Sequence, residues 1–301
     1  MRKGTVVFLI GAGLTALLLL HHLIPTTRGL ALVVESVLPW TGALIVILLI
    51  VGLIRFSVWS IIGVVVPALV WGQMFGAYLK PSSEPEHTDI VVATQNVGAR
   101  LPEPSATALR IIERKPDIVT LQEIESLSGK IIREQMDKNF KHNTVSDTVG
   151  LWSKWPIKDT EEIDLGLSWP RAFAATVETD HGSVRVYSVH MPSVRPGRES
   201  LRNAALQTVA QKVSEDPAQR VIVAGDFNST STDRYFADLN DSLTDTRRAT
   251  GGGFGFTWPA TFPVARLDHI MVRGMDPVSD TVLPRGTSDH RAIVAGINLS
   301  K

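Results

Sequence analysis

The sequence predicts an α+β sandwich of two mixed β-sheets flanked by helices, preceded by three transmembrane helices. Three observations carry that expectation. The first 80 residues hold three long apolar runs. Beyond residue 87, short strand-like runs outnumber helical patterns. Those strands and helices do not alternate strictly, as a doubly wound parallel fold requires.

Val6 to Ile24 is almost wholly apolar, Leu38 to Ile54 is a second apolar run, and Ser57 to Tyr78 is a third. A spanning helix needs roughly 20 apolar residues. The first and third runs reach that length, and the second does so if it starts near Val33 and tolerates Pro39. Trp40, Trp59, Trp71 and Tyr78 fall near run ends, where amphipathic rings favour the membrane interface. A cleaved signal peptide would begin with a similar Met-Arg-Lys, but no Ala-x-Ala site follows the first run. Arg2, Lys3 and Arg55 place their ends on the cytoplasmic side, so three spans put everything after Lys80 outside the cytoplasm. Arg28 and Lys80 run against that bias. The expected location is therefore the cell membrane, multi-pass, with the following domain extracytoplasmic. The absence of cysteine is compatible with an oxidising compartment.

Of 30 Lys/Arg and 30 Asp/Glu, five basic residues and one acidic residue, Glu35, lie in residues 1–80. The remaining 25 and 29 leave the rest of the chain at about −4. A domain that grips a phosphate backbone usually carries a basic excess, so charge does not favour nucleic acid. Arg195, Arg198 and Arg202, and the Arg247-Arg248 pair, read as solvated charges on a helix and a loop.

Pro81 to His87 is a polar, proline-containing linker. From residue 88 to 301 the chain reads as one domain. Strands are expected at Asp89–Val97, Asp117–Gln122, Val149–Trp152, Ala172–Glu178, Val184–His190, Arg220–Ala224, Leu267–Val272 and Ala292–Ile297. Helices are expected at Ser105–Lys115, with Ser105 as cap, at Leu127–Asp137 and at Glu199–Val213. Gly251 to Thr261 reads as a flexible rim loop.

Val221-Ile-Val-Ala-Gly-Asp-Phe-Asn228 is the most telling stretch. A buried strand ends in a carboxylate and an amide two positions apart, which alternation turns the same way. Five other runs end similarly: Asn96, Glu123 and His190 follow strands, Asp268 begins one, and Asp289-His290 precedes the last. Each alone has an ordinary explanation as a turn or structural residue. His269 reads as structural, because alternation points it away from Asp268. Together the six sites suit metal-assisted phosphoester hydrolysis. Oxygen ligands without cysteine favour Mg²⁺ or Mn²⁺. A histidine paired with a carboxylate serves as general acid or base.

These motifs resemble the endonuclease/exonuclease/phosphatase superfamily, which includes pancreatic deoxyribonuclease, exonuclease III type repair enzymes, neutral sphingomyelinases and inositol polyphosphate phosphatases. Gln95-Asn96, Leu121-Gln-Glu123, Gly225-Asp-Phe-Asn228, Leu267-Asp-His-Ile270 and Ser288-Asp-His290 occur in the family's order, and Gly150 to Ile157 resembles its Ser-Arg-x-Pro-Ile strand. The likeness runs from about Thr88 to Asn298. It implies a four-layer sandwich. It implies Glu123 as the main metal carboxylate assisted by Asn96, with Asp289 as a further ligand. Asp226 would orient or deprotonate the attacking water, Asn228 would hold a phosphate oxygen or help at the metal, and His290 would contact the phosphate with Asp268 orienting its ring. His190 matches a second family histidine whose acidic partner has no evident counterpart. Arg171 is a candidate phosphate contact or a surface arginine.

The expected protein is a membrane-anchored, Mg²⁺- or Mn²⁺-dependent phosphoester hydrolase, its partners the bilayer (through residues 1–80) and a phospholipid or other phosphorylated small molecule. An extracytoplasmic nuclease is the alternative reading. A non-catalytic binding relative would have lost a metal or histidine position, and all six are kept. The sequence leaves the oligomeric state and the number of metals open.

Overall fold

In a computed structural model, the chain is described over residues 4–82, 85–99, 101–194, 197 and 199–299. The expectations for Arg2, Lys3, Arg195 and Arg198 lie outside the described residues. Four helices come first: α1 (Thr5–Leu20), α2 (Leu30–Val37), α3 (Thr41–Arg55) and α4 (Val58–Phe75). Among the described residues, three helical stretches are long and apolar enough to cross a membrane: Thr5–Leu23, Thr27–Arg55 and Val58–Leu79. Helices α1 and α4 touch at Gly11 and Gly63. A Cβ on Gly11 would lie 1.7 Å from the Gly63 carbonyl oxygen, the close backbone approach that small residues permit between apolar helices. The second stretch is longer than the sequence suggested. It begins at Thr27, and a 3₁₀ turn at Leu38–Trp40, with Pro39 in its first turn, separates α2 from α3.

The remainder alternates β1 (Ile90–Asn96), α5 (Pro104–Ile112), β2 (Ile118–Gln122), α6 (Leu127–Asn139), β3 (His142–Ser146), β4 (Val149–Ser153), β5 (Ile157–Glu162), β6 (Ala172–Thr179), β7 (Gly182–His190), α7 (Glu199–Glu215), β8 (Val221–Asp226), α8 (Ala237–Ser242), β9 (Thr244–Asp245), α9 (Thr246–Thr250), β10 (Asp268–Arg273), β11 (Met275–Val282) and β12 (Ile293–Leu299). The strands form two six-stranded sheets, ordered β11-β12-β1-β2-β4-β3 and β5-β6-β7-β8-β10-β9. Each holds one parallel pair, β1 with β2 and β7 with β8, so both sheets are mixed.

Alternation explains the layers. Ile90, Val92, Ile118, Val184, Val186, Ile222, Ala224, Ile270 and Val272 face the space between the sheets. Their odd neighbours pack outward, Val119 and Leu121 against α5 and α6, and Val221 and Val223 against α7. The result is helix, sheet, sheet, helix. Each such side chain fully buried adds about 1.5–3 kcal/mol.

Two local expectations fail. Ser105 is not the cap of α5. Glu103 takes that place without a side-chain bond, because Pro104 fills the first helical position, where its missing N–H costs nothing. Arg202 and Arg247 are not solvated. Arg202 is buried against Asp233, Asn203 and Ser229. Arg247 is buried on Asp280, 3.0 Å away.

Arg247 also donates to the Gly251 and Gly252 carbonyls, and Arg266 to Gly255. These bonds hold the glycine-rich loop on the domain. Gly252 and Gly253 N–H bond to the Lys80 and Tyr78 carbonyls. Phe254 packs edge-on to Trp71 and Phe75, and Phe256 stacks on Trp40. Residues 252–256 thus attach the domain to the apolar N-terminal helices, while Trp258, further along the same loop, lines the cleft. A second attachment is Glu35 on α2, buried and bonded to Arg234 at 2.8 Å.

Gly225 is fixed by β7. It has φ +153°, and a Cβ there would lie 1.9 Å from the Val189 carbonyl oxygen. Gly225→Ala is expected to destabilise the solubilised protein by about 3 kcal/mol and to lower its Tm by several degrees in a thermal melt. An unchanged Tm would contradict the close approach.

Candidate active site

The site is the polar end of the core between the sheets. Along β1 the inward row reads Ile90, Val92, Thr94, Asn96. Along β7 it reads Val184, Val186, Ser188, His190, and along β8 Ile222, Ala224, Asp226. Period-2 alternation keeps each row on one face. Register aligns the rows: Asp226 pairs with His190 on one side and with Asp268 on the other. Asn96, from the facing sheet, pairs with Gln122, one residue before Glu123.

The side chains meet. Asn96 Nδ2 donates to Asp226 Oδ2 at 2.9 Å and to Glu123 Oε1 at 3.1 Å. Its amide oxygen accepts the Gly98 N–H at 3.0 Å. The amide therefore turns its donor toward the carboxylates and holds them apart. Asp226 Oδ1 accepts the Asn228 N–H at 2.8 Å, and Asn228 Nδ2 reaches the Met191 carbonyl at 2.9 Å. Glu123 and Asn228 adopt left-handed φ of 63° and 46°. Such values are uncommon for residues with side chains and concentrate at functional sites.

His290 and Asp268 form a buried pair, Nδ1 to Oδ2 at 2.9 Å. Ser288 sets the approach, donating to the Asn96 carbonyl and accepting the His290 N–H. Burial opposes a charge on His290. The carboxylates of Asp268 and Asp226 outweigh it and raise its pKa to about 10. For Asp226, burial dominates and lifts its pKa to about 6, with Asp268 adding to the rise and His290 opposing it.

His190 is fully buried, its Nε2 3.7 Å from Asp226 and 3.8 Å from Glu123. Its neighbour is cationic: Arg171 Nη2 lies 2.7 Å from its Nδ1. Burial first, then the Arg171 and His290 charges, drive its pKa well below the ordinary value. The structure thus sets a guanidinium against this ring, with the Asp226 and Glu123 carboxylates just beyond hydrogen-bond distance, and Arg171 is half-buried at the site rather than a surface residue. His269 stands apart as expected, bonded to Asp245 at 2.8 Å and to the Ser229 carbonyl at 3.0 Å.

These groups floor a cleft of about 530 Å³ that also reaches Asp289. Asp226, Asp268 and His290 bring ligand atoms within 4.8 Å of one another, a grouping that could hold a metal ion. A protonated His290 does not ligate, since ligands must be deprotonated. Asp268 Oδ1 is buried without a hydrogen-bond partner among the described residues. Glu123 keeps 29% of its side chain exposed to the cleft. Carboxylates without sulfur suit a hard divalent cation.

Sequence reasoning missed one contributor. Leu32, Val33, Ser36 and Val37 of α2 line the same cleft. The signal was Glu35, the lone acid in residues 1–80, which buried pairing with the domain explains.

The sequence profile of the Endonuclease/Exonuclease/phosphatase family matches residues 93–290. The chain belongs to that family, whose members are typically divalent-metal-dependent phosphoester hydrolases. It is 34% identical over 119 residues to the uncharacterized protein YbhP of Escherichia coli strain K12, a match covering 37% of this chain and 47% of YbhP. The chain thus spans about half the length of that curated relative. An endonuclease/exonuclease/phosphatase structure from Bacteroides vulgatus superposes with TM-score 0.60 at 17% identity, covering 71% of this chain and all of that one. D. rerio TDP2, solved with a single strand DNA product, superposes with TM-score 0.59 at 20% identity, covering 69% and 98%. These likenesses establish the fold.

The two site histidines should be distinguishable by NMR of the metal-free protein. The His290 ring is expected to stay charged through neutral pH and to lose a proton near pH 10, while His190 stays neutral. A His290 midpoint near 6.5 would contradict the pairing with Asp268 and Asp226.

Proposed function

We propose that the protein is a Mg²⁺- or Mn²⁺-dependent phosphoester hydrolase, held in the membrane by residues 1–80, with residues 88–301 acting outside the cytoplasm. The observation that carries the reading is the single row His190–Asp226–Asp268, with His290 and Glu123 closing on it from the other sheet. A row of this kind holds a proton acceptor beside a fixed cation.

The residues divide the work. Glu123 and Asp289 would hold the ion, with Asn96 orienting Glu123. Held there, a divalent ion would neutralise charge on the phosphoryl oxygens and the leaving group. Asp226, whose affinity for a proton is raised by burial, orients and deprotonates the attacking water. His290, kept protonated and aimed by Asp268, donates to a phosphoryl oxygen. Asn228 and Arg171 add donors for the phosphate, and neutral His190 packs beside Asp226. A nuclease built on this fold would use the same groups, but the net charge of about −4 beyond residue 80 argues against tight nucleic-acid binding.

Full-length protein in detergent should hydrolyse a bis-aryl phosphodiester with Mg²⁺ or Mn²⁺. Glu123→Gln, Asp226→Asn and His290→Gln are each expected to lower kcat by roughly 10²–10⁴-fold. Absence of hydrolysis of diesters and monoesters, or variants equal to wild type, would overturn the reading. Orientation is tested separately: a C-terminal alkaline phosphatase fusion should be active in cells, and a fusion active only as a cytoplasmic reporter would reverse the topology.

A further inference from the structure

The catalytic cleft has two unlike walls. Its floor is the polar cluster of Asn96, Glu123, Asp226, Asn228, Asp289 and His290. One side is apolar and comes from the membrane anchor. Leu32, Val33 and Val37 of α2 line the same opening as Val194, Val264 and Leu267 of the domain. Val33 is 61% exposed and Val37 48%, so this wall is not filled by the protein itself.

Two features say what covers it. First, the wall is continuous with the bilayer. Helix α2 runs through one 3₁₀ turn into α3, and Thr27–Arg55 spans 29 residues, about nine more than a bilayer core needs. The extra turns stand on the domain side. There Glu35 is locked to Arg234, and the Trp40 indole donates to the Val264 carbonyl at 2.9 Å. Second, the other end is polar, with the side chains of Asn96, Asn228 and His290 beside the carboxylates of Glu123, Asp226 and Asp289, the set that the phosphoester reading assigns to a phosphate and its divalent ion. On that reading an occupant places its phosphate at the polar end and a hydrocarbon chain along α2. The wall belongs to this chain's own anchor, since residues 32–37 precede the family match at 93–290.

We propose that the substrate is a bilayer-resident lipid phosphoester, its phosphate at the polar floor and its chain against Leu32, Val33 and Val37, entering sideways from the membrane. This rests on the phosphoester hydrolase reading and names its substrate class. Helix α2 is then part of the substrate site rather than a tether. It selects for a chain by contact, as an apolar pocket discriminates by roughly tenfold or more per missing methylene.

The test uses full-length protein in vesicles and two probes with one reacting group, hexadecyl p-nitrophenyl phosphate and ethyl p-nitrophenyl phosphate. The readout is the ratio of their kcat/KM values. Partitioning of the long probe into the vesicle is common to all variants and cancels between them. The wild type should favour the hexadecyl probe, and Val33→Ser with Val37→Ser should lower the ratio about tenfold. Leu69→Ser, a polar change on an exposed face of α4, should leave the ratio unaltered. If neither probe is cleaved, the hydrolase reading fails with the inference. If both are cleaved without chain preference, or if the α2 variant keeps the wild-type ratio, the lipid inference alone fails. A kcat/KM for single-stranded DNA above that for the hexadecyl probe would also overturn it.

Discussion

The carboxylate of Asp226 is buried at the end of the inter-sheet core, and the arrangement around it follows from keeping it there. Burying a charge is costly unless it is bonded and paired. Asp226 receives the Asn96 amide from the facing sheet, the Asn228 N–H from its own loop, and the field of His290. Each donor lies where it does because of a backbone constraint. Asn96 ends β1, Asn228 sits in a left-handed turn, and His290 is held by Asp268, the register partner of Asp226. The compensation is partial, and the carboxylate keeps a raised proton affinity. A group that both accepts a proton and stays fixed suits proton transfer from water.

A second set of contacts ties the domain to the apolar N-terminal helices. Phe254 and Phe256 enter the aromatic group around Trp40, Trp71 and Phe75, while Arg247, Arg266 and Asp280 hold the loop that carries them. Glu35 and Arg234 fasten α2 on another side of the domain. The domain is thus gripped by its apolar N-terminal helices at two places, and the cleft opens beside them.

The core strands and most of the site were legible because their signals are local. An apolar run with period 2 marks a strand, and its polar end marks the site. The strands that were not legible are β3, β5, β9 and β11, the four sheet edges. Edge strands bury little, so their sequences lack the apolar run. β5 is polar almost throughout, and β11 carries Pro277 at a register shift, which is tolerated only at edges or bulges. Gly251 to Phe256 was misread for another reason. Its glycines suggest freedom, but its phenylalanines find partners more than 170 residues away in sequence, such as Trp71, and no local pattern reports them. The Arg171–His190 contact is likewise tertiary, joining the start of β6 to the end of β7.

The central proposal is that a hard cation binds on Glu123 and Asp289 while His290 stays bonded to Asp268. Anomalous diffraction from Mn²⁺-soaked crystals tests it directly. The account predicts a strong peak within ligand distance of Glu123, with the His290–Asp268 bond intact. A peak ligated by His290 and Asp268, or none in the cleft at saturating Mn²⁺, would contradict it.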